Sequence, residues 1–130
     1  MIRSFIALDL PEDTRQKLAA LQESLKRSRA GVRWVNPRSI HLTLKFLGNI
    51  HPTQVDDIAA TAALTVRNEH PLTLYAKGLG AFPSLRKPRV IWVGLQGQVE
   101  RLGGIQARLE KALQPLGFAP EKRPFRPHLT

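Results

Sequence analysis

Ile40-His41-Leu42-Thr43-Leu44-Lys45-Phe46 alternates apolar and polar residues without a break, and alternation is the period of a β-strand, whose side chains point to opposite faces in turn. Read that way, Ile40, Leu42, Leu44 and Phe46 share a buried face, and His41, Thr43 and Lys45 share the other. The stretch predicts a half-buried strand that displays an imidazole and a hydroxyl on one side. A second His-Leu-Thr stands at His128-Leu129-Thr130.

Ahead of the first tripeptide, Phe5 to Leu8 is a short apolar strand. It runs into Asp9-Leu10-Pro11, where proline suits a first helical turn and Asp9 suits the cap. Leu18, Leu21 and Leu25 recur at helical spacing up to the cations Lys26, Arg27 and Arg29 ahead of Gly31. Val32 to Val35 reads as a strand, Asn36-Pro37-Arg38-Ser39 as a turn, and Gly48 as the end of the His41 strand. His51-Pro52 opens a second helix with Val55, Ile58, Ala62 and Val66 toward the core, stopped by Pro71.

Leu72 to Ala76 is a predicted strand, Gly78 to Pro88 a loop with a basic tip, and Val90 to Val93 a buried strand. Val99, Leu102, Ile105, Leu109, Leu113 and Leu116 mark a third helix with Gly117 as its C-cap. Gly103-Gly104 within it either weakens the helix or admits close packing. A weak repeat emerges: strand, helix and His41-Leu42-Thr43, then strand, helix and His128-Leu129-Thr130. A duplicated half of this kind predicts two lobes about an approximate two-fold axis, with the two His-x-Thr strands facing each other across a groove.

At 130 residues, 42% hydrophobic and 23% charged, the chain has ordinary globular composition and the size of a single domain. No apolar run approaches the roughly 20 residues of a membrane-spanning helix, so a soluble, cytoplasmic protein is expected. The absence of cysteine excludes disulfides, thiolate nucleophiles and Cys-ligated metals. Twenty Lys and Arg against ten Asp and Glu, a formal charge of +10, favour a polyanionic partner such as nucleic acid, although plain surface basicity gives the same count.

Two His-x-Thr strands supply two imidazoles and two hydroxyls. Opening a cyclic phosphate in line needs a base for the attacking water and an acid for the departing ribose oxygen, on opposite sides of phosphorus. With an unperturbed pKa of about 6.5, one imidazole can be neutral while the other is protonated. Thr43 and Thr130 can hold the non-bridging oxygens as charge develops, without a metal or other cofactor. A single His-Leu-Thr is a weak signal; two copies behind similar strand-helix units are a stronger one.

These residues also carry a resemblance. Ser39-Ile40-His41-Leu42-Thr43-Leu44-Lys45-Phe46-Leu47-Gly48 and Arg126-Pro127-His128-Leu129-Thr130 are similar to the two motifs of the two-histidine phosphoesterases, in the RNA 2',3'-cyclic phosphodiesterase or 2'-5' RNA ligase branch. Gly78-Leu79-Gly80-Ala81-Phe82-Pro83, Pro88-Arg89-Val90-Ile91-Trp92-Val93-Gly94 and Phe5-Ile6-Ala7-Leu8-Asp9-Leu10-Pro11 resemble that branch too. The resemblance implies an α+β, bilobal fold, with two antiparallel-type sheets and outer helices around a central groove. It implies hydrolysis of RNA 2',3'-cyclic phosphate ends to 2'-phosphomonoesters, with reversible 2'-5' ligation as a side activity, His41 as proton donor and His128 as acceptor. Members of the group continue for several strands past the second motif, so residues 1–130 are expected to be one two-lobed domain cut short at its C-terminal end.

The expected partners are RNA ends bearing a 2',3'-cyclic phosphate, tRNA fragments among them, met by a monomer with no membrane association. Lys122, Arg123 and Arg126 lead into His128 and are candidates for RNA phosphate contacts, as is Lys45 on the His41 face. Arg86, Lys87 and Arg89 form a second basic cluster, and solvated charge is the alternative for both. Phe46 and Trp92 fall within apolar patterns and are read as core before they are read as base-stacking residues; Trp34 is more open. His51 and His70 precede prolines at helix boundaries and are read as caps or exposed side chains. Two rival functions remain: a non-catalytic RNA or nucleotide-binding module with the same groove, and a metal-dependent hydrolase using His41, His51 and Asp56 or Asp57.

Overall fold

The computed structural model describes residues 1–27, 34–82 and 90–129. Among the described residues, alternating and β-branched segments give five strands, and the leucine-rich periodic segments give three helices between them. β1 (Ile2–Leu8) pairs with β2 (Leu42–Ile50) in one antiparallel sheet. β3 (Leu74–Phe82), β4 (Val90–Gly97) and β5 (His128–Leu129) form a second, antiparallel at both junctions, in the order β3-β4-β5. The helices are α1 (Glu12–Lys26), α2 (Val55–Val66) and α3 (Val99–Leu113). The architecture is the α+β, two-sheet arrangement expected.

α3 is the helix that builds the core. Leu102 and Leu113 are fully buried and Ile105 and Leu109 nearly so, one continuous stripe at the helical period. They join Leu18 of α1, Ile58 of α2, and Leu42, Leu44 and Leu129 of the sheets in the core. A Cβ at Gly103 or Gly104 would meet nothing within 4 Å, so these glycines weaken the helix without admitting a neighbour. Gly117, at φ 95°, closes the 3-10 turn that ends α3 in the left-handed conformation expected of a C-cap glycine.

Several local expectations are corrected. Pro11 takes the N-cap place of α1 and no side chain caps the helix; Asp9 instead lies 3.6 Å from the Arg15 guanidinium. In α2 only Ile58 is buried, and Val55 and Val66 are exposed, because the helix rests on α3 along a narrow strip. The predicted loop from Gly78 starts later, since β3 runs on to Phe82; residues 83–89, with the basic cluster Arg86, Lys87 and Arg89, lie outside the described residues. The predicted strand at Val32 to Val35 lies partly outside them as well, and Trp34 and Val35 are not in a strand.

The correction that matters most for the site is in β2. Pairing runs Leu8↔Leu42, Ala7↔Thr43, then Ile6↔Lys45, and later Phe5↔Phe46 and Ser4↔Gly48. Leu44 and Leu47 are each an extra residue on β2, so the strand carries two bulges and continues through Gly48 to Ile50. An extra residue inverts the alternation beyond it. Lys45 turns inward with 7% exposure and Phe46 outward with 70%, the reverse of the simple alternating reading.

Candidate active site

The repeat read from the sequence is visible in the register. Leu42, the middle residue of the first tripeptide, pairs with Leu8 at the end of β1. Leu129, the middle residue of the second, pairs with Val93 in β4. Both leucines are 2% exposed. Alternation therefore sends each leucine into the core and leaves its histidine on the other side. β5, an edge strand of its sheet, lies against β2, so the two motif strands meet where the two sheets join.

An apolar groove of about 1200 Å³ opens on the leucine side, lined by Leu42, Leu44, Leu129, Val93 and Leu102 among others, and neither His41 nor His128 reaches it. Its lining is mainly apolar, with Asp9, Asp13, Lys17, Glu69 and Lys77 also part of it. The candidate histidines stand outside this groove.

His41 immediately precedes β2 and is half-buried. Its ring stacks on Phe5 of β1, centroids 4.5 Å apart and planes within 8°. Phe5 in turn meets the exposed Phe46 at 6.3 Å in a tilted contact. The approach to His41 is held by α1: Arg15 donates to the carbonyls of Pro37 (3.2 Å), Arg38 (2.6 Å) and Ile40 (3.3 Å) as well as to Leu10 (3.3 Å). Asn36 accepts from the Arg38 amide at 3.0 Å and so starts the 3-10 turn that was expected as a turn.

His128 is exposed. Its Nδ1 lies 2.6 Å from the Arg126 carbonyl oxygen. A carbonyl only accepts, so Nδ1 carries the hydrogen and Nε2 of the neutral ring is left with its lone pair. Trp92 of β4 approaches His128 edge-on at 6.1 Å. Each histidine is thus flanked by an aromatic ring from the strand its own motif pairs with. Gly94, opposite His128 in the ladder, admits the β3 backbone: a Cβ there would lie 2.8 Å from the Lys77 carbonyl oxygen.

Of the other predicted site residues, Thr43 is half-buried on β2, and Arg126, Arg123 and Lys122 are exposed on the segment that enters β5. Thr130 lies outside the described residues. Lys45 is corrected: its ammonium is buried and bonded to Glu110 at 2.8 Å and to the Ala119 carbonyl at 3.0 Å, so it does not stand on the His41 face. His51 caps the turn before α2, its ring taking the Thr53 amide at 3.3 Å, as expected. It follows the far end of β2 from His41, and among the described residues no three His, Asp or Glu side chains gather as a metal site.

Sequence reasoning missed Arg15, Phe5 and Glu110. Arg15 left a trace, since a cation in the first turns of a helix runs against the dipole unless it has other partners. The rest left none, because their roles depend on contacts distant in sequence.

The chain is 35% identical over 129 residues to an RNA 2',3'-cyclic phosphodiesterase of Methanothermobacter thermautotrophicus, covering 99% of this chain and 69% of that protein. It is 33% identical to one of Thermotoga maritima, covering 99% and 68%. Among solved structures, a Thermus thermophilus protein superposes with a TM-score of 0.82 at 29% identity, covering 99% of this chain and 72% of that one. Escherichia coli LigT complexed with 3'-AMP gives 0.78 at 29% identity, covering 98% and 70%. Residues 8–92, from the end of β1 through the first His-x-Thr to Trp92, match the LigT-like phosphoesterases. With motif, register and overall likeness in accord, the chain belongs to the LigT-like phosphoesterase family of the two-histidine superfamily.

Proposed function

We propose that this chain hydrolyses 2',3'-cyclic phosphates at RNA ends to 2'-phosphomonoesters, using His41 and His128 as a proton-transfer pair. The observation that carries the reading is the meeting of the two motif strands with a histidine at the head of each. The names of the relatives, RNA 2',3'-cyclic phosphodiesterases, support the same substrate.

His128 serves as base. Its Nδ1–H bond to the Arg126 carbonyl favours the tautomer whose Nε2 can take a proton from water. The water oxygen attacks phosphorus as the bond to the ribose 3'-oxygen breaks, and His41, in its protonated form, delivers a proton to that oxygen. The Thr43 and Thr130 hydroxyls donate to the non-bridging oxygens, where charge accumulates in the transition state. A ribose 5'-hydroxyl in place of water gives a 2'-5' linkage by the same proton transfers, so ligation accompanies hydrolysis when such ends are abundant. Lys122, Arg123 and Arg126 hold the phosphates of single-stranded RNA, tRNA fragments included, beside His128. The protein works in the cytoplasm as a monomer, and no helix among the described residues is long and apolar enough to cross a membrane.

The test is turnover of a short RNA ending in a 2',3'-cyclic phosphate, with chelator present, by the parent chain and by His41→Ala and His128→Ala. The expected product is the 2'-phosphate, and each substitution should slow its formation by about 10²–10⁴-fold. RNA binding without turnover by the parent identifies a binding module instead. Turnover lost to chelator and restored by a divalent cation identifies a metal-dependent reaction.

A further inference from the structure

We infer that the buried Lys45–Glu110 pair is a positioning device for the two-imidazole reaction, a clamp that fixes the His41 strand against the chain that delivers His128. The inference rests on the functional reading above and adds residues to it that touch neither water nor phosphate.

Three stretches of chain converge on this pair. Lys45 Nζ donates to Glu110 Oε2 at 2.8 Å and to the Ala119 carbonyl at 3.0 Å. The same Oε2 accepts from the Glu121 amide at 3.2 Å. Glu110 Oε1 accepts from Gln106 Nε2 at 3.1 Å, and that Nε2 also reaches the Leu44 carbonyl at 3.3 Å. The Lys45 and Glu110 side chains are 5% and 12% exposed. β2, α3 and the start of the segment that leads to β5 are therefore tied at one point.

The bulge makes the clamp possible. Leu44 is the extra residue directly after Thr43; it leaves His41 and Thr43 ahead of the inversion and turns Lys45 to the inside. The bulged Leu44 carbonyl is taken up by Gln106. Residues 118–127 form no helix or strand, so before the two-residue β5 the Lys45 and Glu110 bonds to Ala119 and Glu121 are polar anchors of that path. A buried ion pair contributes little net stability compared with apolar residues of similar volume, which leaves geometry as its function. In-line displacement demands that geometry, because the base and the acid must stand on opposite sides of one phosphorus, and a misplacement of about 1 Å costs about 100-fold in rate.

The experiment compares the parent with Lys45→Met/Glu110→Leu, which removes both charges together and strands neither. The readouts are thermal unfolding, kcat and KM on the cyclic-phosphate RNA, and the ring resonances of the four histidines. The double variant should melt near the parent, with kcat lowered at least about tenfold at nearly unchanged KM. The His41 and His128 resonances should move while those of His51 and His70 stay in place. Histidine resonances like the parent's in the folded double variant overturn the inference, whatever happens to turnover. If the parent shows no turnover, the proposed reaction falls, and the spectra still decide the clamp. If the double variant does not fold, Gln106→Met, which cuts the tie to Leu44 without exposing a charge, is read against the same criteria.

Discussion

Phe46→Ala should cost little stability, and the size of the loss decides whether β2 is bulged. Truncating a fully buried phenylalanine costs about 3–5 kcal/mol. Phe46 is 70% exposed, so scaling to the fraction still buried gives about 1 kcal/mol. Leu44, 6% exposed in the core cluster, should lose about 3 kcal/mol or more on substitution by alanine. Urea unfolding of the two variants, with unchanged m-values as the sign of two-state behaviour, measures both losses on one scale. A loss of about 3 kcal/mol or more at Phe46, matching or exceeding that at Leu44, refutes the register. Phe46 would then belong to the core, and Lys45 would return to the His41 face as a phosphate contact.

The same register makes Lys45→Met neutral for the salt dependence of single-stranded RNA binding, while Lys122→Ala, Arg123→Ala and Arg126→Ala should each reduce the slope of log K against log salt by about 0.7; equal slopes in all four variants count against these roles. Phe5→Leu keeps the strand apolar but removes the ring stacked on His41; such aromatic contacts contribute about 0.5–1.5 kcal/mol, so kcat should fall about twofold to tenfold, and steady-state kinetics with parent-like kcat would deny Phe5 any part in orienting the imidazole. Bonds from Arg108 and then Arg101 hold the Glu69 carboxyl below its ordinary value of 4.5. A depressed folded-state pKa supplies stability above the unfolded value that is lost as pH falls through the folded one. Glu69→Gln should therefore flatten the acid limb of a Tm-against-pH curve below about 4.5, and an acid limb as steep as the parent's would exclude this link.

Alternation at 40–46 was sufficient to place Thr43 on a strand, and His41 just ahead of it, away from the leucine core, because strand geometry is local and Leu42 needs only the nearest layer to be buried. The helical stripe of α3 was legible for the same reason, and so was the repeat, since each half carries its own strand, helix and motif. Beyond Thr43 the local pattern failed. The bulge at Leu44 is a property of how β2 meets β1, and no residue of β2 announces it; its consequence, Lys45 inside and Phe46 outside, follows from pairing alone. Phe5 against His41, Arg15 on the carbonyls of Pro37, Arg38 and Ile40, and Glu110 between Lys45 and Glu121 join residues far apart in the chain. The sequence by itself determined which side chains are candidates for the chemistry and the periodicities that set their neighbours on strands and helices, because those depend on residue type and near neighbours. Only the tertiary structure decided which face each residue beyond the bulge takes and what orients the two imidazoles, because strand register and buried polar contacts are settled by the partners a segment meets when the chain folds.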